Sequence, residues 1–230
     1  MRSGVRACSS ASSSPAELTL TTLSNLFNDA FAQATAMTYW EGLAVVLALA
    51  YLLLAMRGSI WCWPAAFGST LIYTLLFWEV SLLMESLLNG YYLLMAVYGF
   101  WVWRFGGDTG EGTRYRRLPF SQHTLIIAAT AVTALGMGYV MDTYTQADMA
   151  YLDSMTTCFA VVTTVMLAYK VVENWIYWVV IDLASIYLYL NKSLILTSGL
   201  FVLYVGLAAA SYFMWRRAYE HQPRLSQAVA

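Results

Sequence analysis

The run Glu173-Asn174-Trp175-Ile176-Tyr177-Trp178-Val179-Val180-Ile181-Asp182 sets acids, an amide and two indoles inside a strongly apolar stretch that continues to Tyr189. On a helix, Trp175, Trp178, Asp182, Ser185 and Tyr189 follow at spacings of three or four and share one face. An acid near the middle of a spanning helix is costly in hydrocarbon and must face a bundle interior or a wet cavity. Flat rings beside an acid and an amide suit a flat, cationic or amide-bearing small molecule. A second polar stripe has the same spacing: Glu85, Asn89, Tyr92, Ala96, Gly99 and Trp103. Trp61 and Trp63 sit just inside another apolar run, where a gate and an interfacial anchor are equal readings.

Each of these residues also has a plainer reading. Glu85 and Asn89 can join helices by hydrogen bonding. Asp182 can pair with a hydroxyl or tyrosine across the bundle, against the functional readings of attracting a ligand cation or relaying protons. Asn174, Trp175 and Trp178 can belong to an interfacial aromatic belt, and Trp101, Trp103 and Trp215 at span ends read as belt residues. Glu41 and Asp153 place charge at helix N-termini. The threonine pairs at 156–157 and 163–164 bond their own backbone or line a pathway. Cys8, Cys62 and Cys158 follow no metal or redox spacing, and neither His123 nor His221 has a ligating neighbour. No Walker, Ser-His-Asp or HExxH pattern is present, so the chain reads as neither an enzyme nor an ATP-driven pump, with no cofactor and no metal.

The elements that must carry these residues are membrane spans. The chain of 230 residues is 60% hydrophobic and 11% charged, with mean hydropathy +0.59. Soluble domains carry roughly 25% charged residues, so this is an integral membrane protein. A net charge of -1 argues against a nucleic-acid partner. The pattern predicts an all-α fold of seven transmembrane helices: Trp40–Met56, Ile60–Trp78, Ser81–Phe105, Leu118–Met141, Met149–Tyr169, Asn174–Leu190 and Ser193–Arg217. Residues 1–39 read as a disordered tail, without the apolar core of a signal peptide, followed by an amphipathic surface helix; residues 218–230 are a cytoplasmic tail. Arg57, Arg104, Arg114, Arg116, Arg117, Lys170, Arg216, Arg217 and Arg224 bias one side, placing the C-terminus in the cytoplasm and the N-terminus outside.

A gap-free internal repeat appears at an offset of 112 residues. It pairs Glu41 with Asp153, Trp63 with Trp175, Tyr92 with Tyr204, Ala96 with Ala208, Trp103 with Trp215 and Arg104 with Arg216. The transporter domain, 40–217, then divides into repeat one (40–105), a linker helix (118–141) and repeat two (149–217). Since the linker crosses once, the two blocks share orientation, a 3+1+3 parallel duplication with the substrate held near mid-depth.

These pieces resemble the PnuC family of vitamin-precursor transporters, whose best-known members carry nicotinamide riboside. The resemblance covers roughly Trp40 to Arg217. It rests on Trp40-Glu41, on Ile60-Trp61-Cys62-Trp63-Pro64, on Tyr91-Tyr92 followed by Tyr98-Gly99-Phe100-Trp101-Val102-Trp103, and most specifically on Glu173-Asn174-Trp175-Ile176-Tyr177-Trp178. It implies a SWEET-like fold in the bacterial inner membrane and a homotrimer with one pathway per protomer. It also implies facilitated uptake, with a cytoplasmic kinase trapping the substrate. By position, Asn174, Trp175 and Trp178 would bind substrate, with Asn89 and Tyr92 facing them. Family members carrying the riboside look as if they have Gln at Asn89 and Asn at Asp182, so thiamine, another flat cationic heteroaromatic, stays an alternative, as does a proton-coupled carrier.

Overall fold

The computed structural model describes residues 39–76, 83–107, 112–145, 149–191 and 195–222. The expected tail and surface helix at 1–38 lie outside the described residues, as do the side chains of Glu41 and Glu85.

Apolar runs form seven helices within these segments: α1 Tyr39–Met56, α2 Cys62–Leu76, α3 Leu83–Phe105, α4 Phe120–Tyr144, α5 Ala150–Ala168, α6 Asn174–Asn191 and α7 Ile195–His221. Pro64 is tolerated because it stands in the first turn of α2, where its missing N–H would have no helical partner. Among the described residues, three helical stretches, Phe120–Tyr144, Ala150–Ala168 and Ser198–His221, are long and apolar enough to cross a membrane, and the shorter Gly42–Met56 is apolar too. The chain is an all-α, multi-pass membrane protein. Its α4 turns Leu125, Val132, Leu135 and Tyr139 outward, a surface suited to lipid. The buried residues of α4 are small, Thr130, Ala134 and Gly138, and a Cβ on Gly138 would press on Tyr151. That stripe lets α4 lie close against α5.

Helix α1 packs on α2 and α2 on α3; α4 packs on α5, α5 on α6 and α6 on α7. Contacts of α3 with α5 and of α1 with α7 bring the first three helices against the last three.

The 112-residue offset reappears in the turns. After α1, Ser59 N–H donates to the Leu54 carbonyl and Gly58 N–H to that of Ala55, the bond pair of a Schellman turn. After α5, Val171 N–H donates to Met166 and Lys170 N–H to Leu167, each partner 112 positions further on. Gly58 (φ +65°) and Lys170 (φ +50°) take the left-handed position of these turns. Glycine adopts it without a Cβ clash. Lys170 carries that penalty, and its ammonium 4.4 Å from the Trp103 ring centre and 5.2 Å from that of Tyr115 offsets it. Burial pushes the Lys170 ammonium below its usual range.

Trp103 and Trp215 are not belt residues. They are 5% and 1% exposed, whereas Trp101 is exposed as expected of a belt. Trp103 Nε1 donates to the Ala168 carbonyl at 2.9 Å, and Trp215 Nε1 to those of Ala55 and Met56 at 3.0 and 3.1 Å. These are end carbonyls of α5 and α1, beyond the last helical i→i+4 donors, where an indole N–H is a natural partner; that of Ala55 accepts from Gly58 N–H as well. Trp63 meets Trp103 edge to face at 5.5 Å and 86°, and Trp175 meets Trp215 at 5.4 Å and 89°.

The segment 112–119 straps this end of the bundle. Arg116 N–H donates to the Lys170 carbonyl and Val172 N–H to that of Arg116. The Gln222 amide clamps both backbone groups of Tyr115 at 2.9 Å. Arg117 Nε lies 2.5 Å from Glu173 Oε1, and that carboxylate holds the guanidinium above its usual range.

Candidate functional site

A cavity of about 400 Å³ opens between the first and last three helices. Helix α6 supplies Trp175, Trp178 and Asp182 from one face, as a helical spacing of three and four requires. Trp63 of α2 and Tyr92 of α3 line it from the other side, and Tyr204 of α7 closes it. The size falls within the usual range for small-molecule pockets, roughly 300–1,000 Å³.

The packing beneath the cavity fixes its walls. Trp63 and Trp175 are 2% and 3% exposed, braced by Trp103 and Trp215. Gly99 admits Trp63, because a Cβ there would overlap the indole ring. Both indole nitrogens, Trp63 Nε1 and Trp175 Nε1, are buried without a hydrogen-bond partner among the described residues. Asp182 is 6% exposed and belongs to the cavity wall. An indole-walled chamber with one carboxylate attracts a flat ring that carries positive charge. The described lining residues include no lysine or arginine.

The residues named from sequence divide as follows. Trp175, Trp178, Asp182, Tyr92 and Trp63 line the cavity together. Asn174 does not. It is fully buried at the start of α6, its Nδ2 donating to the Val171 carbonyl at 2.6 Å, while Oδ1 has no partner among the described residues. Asn89 stands one turn before Tyr92, partly buried and outside the lining. Trp61 is exposed, whereas Trp63 is buried. The Glu85 side chain lies outside the described residues.

Tyr51, Thr164, Phe201 and Tyr204 also line the cavity. The repeat pointed to Tyr204, the counterpart of Tyr92, and Thr164 belongs to a threonine pair for which the sequence left both a pathway lining and a bond to its own backbone open; it lines the cavity and bonds the Ala160 carbonyl. The same offset matches further lining pairs: Leu52 with Thr164, Ala66 with Trp178, and Thr70 with Asp182. Phe201 lines the wall at the position that corresponds to Asn89. Tyr51 has no such signal, because a tyrosine in an apolar helix reads as core.

The family model described as nicotinamide mononucleotide transporter matches residues 38–217. In fold the chain is similar to a protein whose structure is described as the crystal structure of the vitamin B3 transporter PnuC. The two share 20% identity and a TM-score of 0.63, over 88% of this chain and 91% of that one. No curated protein sequence matches significantly.

Proposed function

We propose that this chain, which belongs to the nicotinamide mononucleotide transporter family, is a facilitator for the uptake of nicotinamide riboside, which a cytoplasmic kinase then traps by phosphorylation. The observation that carries this reading is the wall of α6: Trp178 and Asp182 reach one cavity with Trp175, and Trp63 and Tyr92 line it from other helices. The pyridinium ring stacks on an indole and its charge is met by Asp182. A phosphate fits poorly. It would share a low-dielectric chamber with a carboxylate and find no lysine or arginine among the described lining residues. This favours the riboside over the mononucleotide of the family's description. The similarity in fold to a vitamin B3 transporter supports the same substrate class. Thiamine, equally flat and cationic, is the second reading, favoured by the same pairing of indoles with Asp182.

The proposed architecture is a transporter domain at 40–217 of seven spans, 3+1+3, with α4 as linker. The paired turns after α1 and α5, the paired indole bonds and the paired lining residues support this duplication. The proposal extends to a homotrimer in a bacterial inner membrane, N-terminus outside and C-terminus in the cytoplasm. On this reading transport follows the gradient that the kinase maintains.

Calorimetric titration of the purified protein against nicotinamide riboside, its mononucleotide, thiamine and riboflavin tests the reading. Saturable binding of the riboside is expected, with the mononucleotide at least about tenfold weaker. Tighter binding of the mononucleotide, or riboflavin as the preferred ligand, would overturn it.

A further inference from the structure

We infer that a second cavity, between α4, α5 and α6, binds a membrane phospholipid whose head group carries a primary amine. This cavity measures about 500 Å³ and is separate from the substrate chamber. Its body is apolar, built by Phe120 and Ile127 of α4, Phe159 of α5, and Ile176 and Val180 of α6. Ile127, Ile176 and Val180 are exposed, so the cavity opens sideways on the flank where α4 presents its apolar surface.

One end differs. Where α4 and α6 begin, Glu173, His123 and Tyr177 join the wall. Glu173 is 7% exposed. Its Oε1 is taken by Arg117, while Oε2 is buried without a partner among the described residues. His123 stacks on Tyr177 with Nδ1 2.9 Å from the phenol oxygen, and its Nε2 is likewise buried and unpartnered among the described residues. A buried carboxylate oxygen is costly until a donor reaches it.

The occupant therefore needs a hydrogen-bond donor at one end and a long apolar body at the other. An ammonium meets the free oxygen of Glu173 with a charge-assisted bond. The Arg117 side chain, about half exposed, stands beside it for the phosphate. Phosphatidylethanolamine offers both groups. Phosphatidylcholine has the same phosphate and the same chains but no N–H to donate, so it is the discriminating control.

The test uses the full-length, delipidated protein in detergent. Native mass spectrometry and thermal unfolding are read with the two lipids at identical acyl chains. Ethanolamine adducts should exceed choline adducts by roughly tenfold, the factor one charge-assisted bond supplies, and only the ethanolamine lipid should raise Tm markedly. Glu173→Gln should bring the two lipids level. Because that change also breaks the Arg117 pair, Ile127→Trp serves as a second variant. It fills the cavity from the membrane-facing side and should abolish both the adduct and the Tm gain, while riboside affinity stays at the wild-type value. Equal adducts with the two lipids, adducts absent from every oligomeric state, or a preference that survives Ile127→Trp would each overturn the assignment.

Discussion

At the scale of single residues, the proposed recognition rests on Trp178 and Asp182 in the cavity wall, and their tests are separable. Trp178→Ala should raise the riboside Kd by roughly a hundredfold, as loss of a central aromatic contact does, while the protein stays folded in detergent. Calorimetry and size exclusion on one sample check both halves of that statement. Asp182→Asn should weaken a cationic ligand roughly tenfold more than its neutral, reduced analogue. Equal losses would remove the role of charge. Sequence spacing located both residues, because an acid and an indole four positions apart on an apolar helix have few cheap places to go. Asn174 shows where that logic ends. An amide beside two tryptophans reads as a ligand, yet its Nδ2 bonds the Val171 carbonyl outside the cavity lining, while its Oδ1 has no partner among the described residues. Residue type alone does not say whether an amide serves a visitor or its own backbone.

At the scale of elements, the two long-range indole bonds set the packing. Trp215→Phe keeps the ring and removes the donor to Ala55 and Met56. It should cost about 1 kcal/mol, a fall of about 2–4 °C in Tm. Trp103→Phe, which frees the Ala168 carbonyl, should cost the same. Thermal unfolding of the two variants side by side tests the duplication, and widely different falls would count against it. Gly99→Ala should be worse, roughly 1–3 kcal/mol, because the added methyl presses on a packed indole. It should also weaken substrate binding by displacing Trp63. Helix positions were legible from apolar runs and their punctuation to within a few residues. The roles of Trp103 and Trp215 were not. A tryptophan near a span end looks like an interfacial anchor, and only the approach of a distant helix end turns it inward.

For the molecule as a whole, the proposed facilitated uptake makes a kinetic prediction. Riboside entry into liposomes holding the purified protein should be unchanged by a proton uncoupler, whereas a proton-coupled carrier would lose its accumulation. Radiolabelled uptake with and without the uncoupler distinguishes the two. The repeat was visible in the sequence as a modest string of matches at one offset, and composition blurred it. Backbone bonds are free of that blur, and the turns at Gly58 and Lys170 carry the same spacing.

The two walls of the cavity match in position and, at Trp63/Trp175 and Tyr92/Tyr204, in residue type, but they part at two places. Where one half offers Ala66 and Thr70, the other sets Trp178 and Asp182. With the bulky set on both sides, a further indole and a second like charge would crowd about 400 Å³. Small residues at 66 and 70 leave open the volume into which Trp178 and Asp182 project, so one flank grips and the other gives room.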